Sequence, residues 1–182
     1  MKINLLAASL SIVIASTSAM VANATDSKSD TPPAPKETPR PQVPAAARGP
    51  AIDLAIEAAK VAIETCAAAG GQKIGVSVVD SAGVLKTLLA ADGTSPRGVQ
   101  SSTNKAVTAL TFKTATRELS EQIKTDKTLA DKIAAEPNFN ARPGGVLLKV
   151  NGEIIGAIGV GGGSTDHDCA IAGIEKIQGR LK

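Results

Sequence analysis

The sequence predicts an α/β protein of the α+β type, an antiparallel sheet covered by helices. Three observations lead there. Asp80-Ser81-Ala82-Gly83 and Asn151-Gly152 are turn signals, and each lies between two β-type runs. Helix-periodic stretches precede, separate and follow these two hairpins. With no Trp, no Tyr and only two Phe, the core has to be built from Ile, Val, Leu and Ala.

The N-terminal residues read as export and spacing, outside this fold. Lys2 precedes an apolar run from Ile3 to Ala15, and Ala22-Asn23-Ala24 offers a small-x-small cleavage site, so residues 1–24 are expected to form a signal peptide. The run is too short for a stable membrane span. The expected location is secreted or periplasmic. Residues 25–49 carry Pro32, Pro33, Pro35, Pro39, Pro41 and Pro44, and are expected to be a linker that buries too little apolar surface to order itself. Residues 50–182 are left as one domain.

The first element of that domain is a helix over 51–69. Ile52, Ile56, Ala59, Ile63 and Cys66 recur at helical spacing, Asp53 and Glu57 sit where the dipole favours negative charge, and Gly70-Gly71 supplies a left-handed stop. Lys73 to Asp80 then alternates, with Ile74, Val76 and Val78 on one side and Lys73, Gly75 and Ser77 on the other. Val84 to Ala91 is its hairpin partner.

Pro96 can open the next helix, along which Val99, Ser102, Ala106, Ala109 and Leu110 trace an inward stripe of small residues. Thr116 is placed to cap a further helical segment, and helical pieces run to about Ala135. A loop from Pro137 to Gly145 leads to the second hairpin, Val146–Val150 and Glu153–Val160. The similar layout of the two hairpins points to a meander-like sheet. Asp166 to Leu181 closes the chain as a helix with Ala170, Ile174, Ile177 and Leu181 on one face.

Several function classes fall away. The formal net charge is +3, one unit of which is Lys2, and there is no basic run, so a nucleic-acid footprint is absent. Gly159-Val160-Gly161-Gly162-Gly163 lies between a strand and a helix. However, Ser164 occupies the third-glycine position of a dinucleotide fingerprint, and no second parallel strand follows. Asp166-His167-Asp168 has the residue types of a metal site but not the spacing, because consecutive helical side chains diverge by about 100°. An exposed helix start is the expected role of these residues.

Two candidate sites remain. A glycine loop at a helix N-terminus, Gly161, Gly162, Gly163 and Ser164, presents backbone amides that can hold an anion, with Asp166 capping the helix. Those glycines serve equally to let the strand turn and the helix approach the sheet. Lys105 and Thr108 lie on the hydroxyl-rich stretch Ser101 to Ala109, which suits either a polar pocket wall, with Lys105 meeting a carboxylate, or a solvated face. The two cysteines, Cys66 and Cys169, can form one disulfide if the first and last helices pack antiparallel on one sheet face. Two buried free thiols account for them equally well.

Val78-Val79-Asp80-Ser81-Ala82-Gly83, Asp92-Gly93, Lys105-Ala106-Val107-Thr108-Ala109, Gly152 through Val160, and Asp168-Cys169-Ala170-Ile171-Ala172-Gly173 occur in order. Together they make residues 51–181 resemble the GlcG/HbpS-like haem-binding family, also seen as the C-terminal domain of PduO-type proteins. The resemblance implies a profilin-like α-β-α layer fold and homo-oligomers up to octamers. It also implies a small-molecule ligand, with haem the leading cofactor, and, in some members, haem degradation or haem- or redox-linked sensing.

Two departures stand out. Ala90-Ala91 replaces the arginine or other large residue that many members carry before Asp-Gly. His167 is the sole histidine and does not lie on the N-terminal helix, where histidine-bound members place their iron ligand. Arg97 and Lys105 are the side chains left to meet haem propionates. No catalytic constellation is evident, so whether the chain is an enzyme stays open. The alternative expectation is an enzyme or sensor for a small hydroxy or oxo carboxylate.

Overall fold

The computed structural model describes residues 46–182. The expected signal peptide and nearly all of the expected linker therefore lie outside the described residues. The elements are α1 (Ile52–Ala68), β1 (Gly75–Asp80), β2 (Leu85–Ala90), α2 (Pro96–Phe112), α3 (Thr116–Gln122), α4 (Lys127–Ala134), β3 (Gly145–Val150), β4 (Glu153–Gly161) and α5 (Asp166–Ile177). A 3₁₀ turn, Gln178–Arg180, follows.

The four strands form one antiparallel sheet in the order β2-β1-β4-β3. The two hairpins are as expected, but they join through β1 and β4, so the sheet is not a meander. The register Val76↔Val160 and Val78↔Ile158 sets these side chains on one face, over which α1 and α5 pack. The opposite face meets α2, where Val79, Ala106, Ala109 and Ala157 form a smaller cluster. Both faces of β1 are consequently buried. Layers of helix, sheet and helix result.

Local chemistry explains most boundaries. Gly70 and Gly71 adopt φ of 104° and 69°, and Asn151 and Gly152 adopt φ of 50° and 84°, the left-handed pair that a tight hairpin turn needs. Ser95 caps α2 by accepting from the Gly98 amide at 3.1 Å, with Pro96 at the first helical position. Asp126 caps α4 through the Leu129 amide at 2.9 Å.

Thr116 does not cap α3. Ala115 holds the cap position, and the buried Thr116 hydroxyl instead accepts from the Gly145 amide at 2.8 Å, tying α3 to β3.

The buried face of α1 also differs from the periodic reading. Leu54, Ala55, Ala58, Ala59, Ala62 and Cys66 are buried, whereas Ile52 is 51% exposed. The reason is Gly173 on α5. A Cβ there would lie 2.5 Å from the Ala58 carbonyl oxygen, so the two helices meet on their smallest residues. Bulky side chains are displaced from that contact to its flanks.

Cys66 and Cys169 are joined by a disulfide across the same helix pair, with Cα atoms 5.6 Å apart. No helix among the described residues is long and apolar enough to cross a membrane.

Candidate functional site

The first half of α2, the loop 137–143 and the glycine loop 162–164 enclose a cleft of about 730 Å³. Its walls are polar, with Ser95, Gln100, Ser101, Asn104 and Asn140 facing in, and Arg97 and Arg142 stand among the lining residues. Neither guanidinium makes an ion pair or a side-chain hydrogen bond among the described residues.

Lys105 and Asp166 also line the cleft, and both are buried. Lys105 Nζ donates to Asp166 Oδ2 at 2.6 Å and to the Val160 carbonyl at 2.9 Å. Burial lowers the Lys105 pKa; the hydrogen bond and charge of Asp166 oppose that shift, and the nearby positive charge of Arg142 adds to it. The carboxylate that Lys105 meets is therefore internal. Its ammonium is held by Asp166 and the Val160 carbonyl.

The glycine loop is also occupied from within. Asp166 Oδ1 accepts from the Gly163 amide at 2.8 Å, and Gln72 Oε1 accepts from the Ser164 and Thr165 amides at 2.6 and 3.2 Å. Two of the amides expected to hold an anion, those of Gly163 and Ser164, already have partners in the protein, as does the neighbouring Thr165 amide. Thr165, not Asp166, holds the α5 cap position, and Asp166 secures the loop before the helix. Gly161 lies at the end of β4 and does not line the cleft. A Cβ there would sit 2.6 Å from the Gly98 carbonyl oxygen, so its glycine allows β4 to approach α2.

Thr108 works from behind the wall. Its hydroxyl donates to the Asn104 carbonyl at 2.6 Å and accepts from the Asn140 amide at 2.8 Å. Asn140 in turn donates to Ser101 Oγ at 2.9 Å, and its Oδ1 accepts from the Arg142 amide at 3.0 Å. Thr108 thus fixes the loop that carries Arg142. Of the residues expected at the site, the cleft gathers Arg97, Lys105, Gly162, Gly163 and Ser164, and leaves Thr108 and Gly161 as supports.

Gln72, Asn140 and Arg142 were not expected. Each lies in a loop, where no periodic pattern marks a side chain as inward. The adjacency of Gln72 to Gly70-Gly71 was the one available signal.

A second cavity of about 540 Å³ adjoins the first. Ile123, Ala130, Ile133 and Phe139 give it an apolar lining, and Pro137, Asn140, Arg142 and Pro143 belong to both cavities. Arg142 therefore stands where a polar cleft meets an apolar groove.

The Asp166-His167-Asp168 side chains separate as helical geometry requires. Asp166 turns to Lys105 and Asp168 to Arg117, the latter at 2.8 Å. His167 is buried, not exposed, and its Nδ1 has no hydrogen-bond partner. Burial, then the charge of Arg117, lowers its pKa; Glu118 and Asp168 oppose that. His167 lines neither cavity.

The disulfide lies beneath the glycine loop. The Thr165 hydroxyl is 3.8 Å from Cys66 Sγ and 3.5 Å from Cys169 Sγ, and it accepts from Gln72 Nε2 at 2.7 Å.

The family model described as haem degrading protein HbpS-like matches residues 51–175. Among solved structures, that of HbpS is similar at 29% identity, over 70% of this chain and 89% of that one, with a TM-score of 0.63. A double mutant of Streptomyces reticuli HbpS is 27% identical over 80% of this chain and 99% of its own, with a TM-score of 0.65. The complex of PduOC with heme is 26% identical over 72% and 96%, with a TM-score of 0.64. No curated protein matches the chain.

Proposed function

The chain belongs to the HbpS-like family, and on that premise we propose that its cleft binds haem or another tetrapyrrole. The observation that carries this reading is the pair of guanidinium groups, Arg97 and Arg142, without partners among the described residues, at a cleft that opens onto an apolar groove. Arginine forks suit carboxylates, so haem propionates have partners here. The apolar body has Ile123, Ile133 and Phe139. A solved complex of PduOC with heme, similar in fold and sequence, supports the same ligand class.

The site does not fit the iron. Iron in haem usually takes His, Cys, Met or Tyr, and among the described residues none of these lines either cavity.

We further place the protein outside the cytoplasm as a homo-oligomer used in haem- or redox-linked sensing. The leader-like residues 1–24 and the Cys66–Cys169 disulfide support export. The apolar side chains of Val84 and Leu85, 58% and 46% exposed at the start of the edge strand β2, support self-association. The disulfide's contact with Thr165, behind the cleft loop, supports a redox link.

Titrating haemin into the full chain and following the Soret band tests the ligand. A saturable shift is expected, lost with Arg97→Ala and Arg142→Ala together; an unshifted band removes haem.

A second reading is binding of a small hydroxy or oxo carboxylate, favoured by the hydrogen-bonding groups of Ser101, Asn104 and Asn140 beside the two arginines. It predicts thermal stabilisation by such acids and none by haemin.

A further inference from the structure

We propose that this site recognises the carboxylates and the apolar body of a porphyrin and takes no part in holding its metal. The proposal rests on the tetrapyrrole reading above and goes beyond it, because it assigns the recognition to one part of the ligand.

The donors that could reach an iron atom are accounted for one by one. The sequence has no Tyr, and its two methionines, Met1 and Met20, lie in the leader-like segment. Cys66 and Cys169 are bonded to each other. Lys105, the one amine in the cleft, has its ammonium held by Asp166 and Val160, so it offers no lone pair. His167 is buried at the start of α5, away from both cavities.

The groups that remain face the ligand's periphery. Arg97 and Arg142 are cations without partners among the described residues, and Lys105, already neutralised by Asp166, leaves their charge uncancelled within the cleft. Arg142 adjoins the groove of Ile123, Ile133 and Phe139, so one side chain borders both the charged and the apolar part of an amphipathic ligand. Neither attraction involves a metal. The same contacts are available to haemin and to the metal-free porphyrin.

The experiment compares haemin, free-base protoporphyrin IX and its dimethyl ester on the full chain, by absorbance and by porphyrin fluorescence. Haemin and the free base are expected to bind within about threefold of one another, while the ester, which cannot pair with arginine, loses at least about tenfold. Arg142→Ala is expected to weaken both acids alike, with Arg142→Lys recovering part of the loss and far-ultraviolet dichroism confirming the fold. His167→Ala is expected to leave both affinities and the haemin Soret position unchanged.

Haemin binding without free-base binding overturns the proposal and leaves the tetrapyrrole reading standing. A haemin-specific loss in His167→Ala does the same. Equal binding of the ester and the free acid removes the role of the carboxylates and also overturns it. Failure of both haemin and free base to bind removes the tetrapyrrole reading itself, and this proposal with it.

Discussion

Lys105 on α2 and Asp166 at the start of α5 form a buried ion pair, with Nζ 2.6 Å from Oδ2 across 61 residues of sequence. The second oxygen of Asp166 holds the Gly163 amide, so the pair joins the helix on one sheet face to the loop that begins a helix on the other. A charge removed from such a site leaves its partner buried and alone, which costs about 3–5 kcal/mol. Lys105→Met and Asp166→Leu are each expected to lose stability of that order in urea denaturation. The double variant is expected to recover a large part of the loss, because no uncompensated charge remains. Additive losses would remove the ion pair as their cause.

The Cys66–Cys169 disulfide closes a loop with a sequence separation of 103 residues, among the longest this domain permits. Constraint of the unfolded chain by such a loop accounts for about 2–5 kcal/mol. Cys66→Ala together with Cys169→Ala is expected to lower the urea midpoint accordingly. Thiol counting on denatured, unreduced protein is expected to find no reactive group; two reactive thiols would contradict the pairing.

The contact of Gly173 with Ala58 has no room for a methyl group. Gly173→Ala forces α1 and α5 apart, and overpacking of this kind costs about 1–3 kcal/mol. A fall in Tm is expected although alanine is the better helix former. An unchanged or raised Tm would show that the helices separate freely.

Burial holds the His167 pKa below its ordinary value of 6.5. The unfolded chain therefore takes up this proton before the folded one does. Stability is expected to be full above about pH 6.5 and to decline as pH falls below it. His167→Gln is expected to flatten that decline, measured as the pH dependence of the urea midpoint. A decline equally steep in the variant would assign it to the carboxylates instead.

Much of the fold was legible because its signals are local. A hairpin turn needs two left-handed residues in succession, and Asn151-Gly152 announces that regardless of what surrounds it. Pro96 and Gly70-Gly71 mark helix ends for reasons contained in a few neighbouring residues. The order of elements, and with it the α+β class, follows from such punctuation. The ordered run of motifs from Val78 to Gly173 added the family, which the match over 51–175 shows.

The site was legible only in its composition. Lys105, Arg97 and the glycine loop stood out by residue type, but not the contacts that define their roles. Lys105 pairs with Asp166 because β4 runs beside α2, offers Lys105 the Val160 carbonyl, and leads within a few residues to Asp166 at the start of α5. Gln72 fills the amides of Ser164 and Thr165 across 92 and 93 residues. Its identity as a partner depends on where α1 ends relative to α5. Similarly, the inward face of α1 went to alanines because Gly173 of another helix admits nothing larger.

Backbone preference and spacing within a short window were enough to set the secondary elements, the hairpins and the apolar character of the core. It took the packing of the layers to establish that the sheet runs β2-β1-β4-β3, that the Gly163 and Ser164 amides are already satisfied, and that Arg97 and Arg142 have no partner among the described residues beside an apolar groove. Those outcomes depend on which distant groups arrive within hydrogen-bonding reach. That is set by how layers pack, and no local pattern records it.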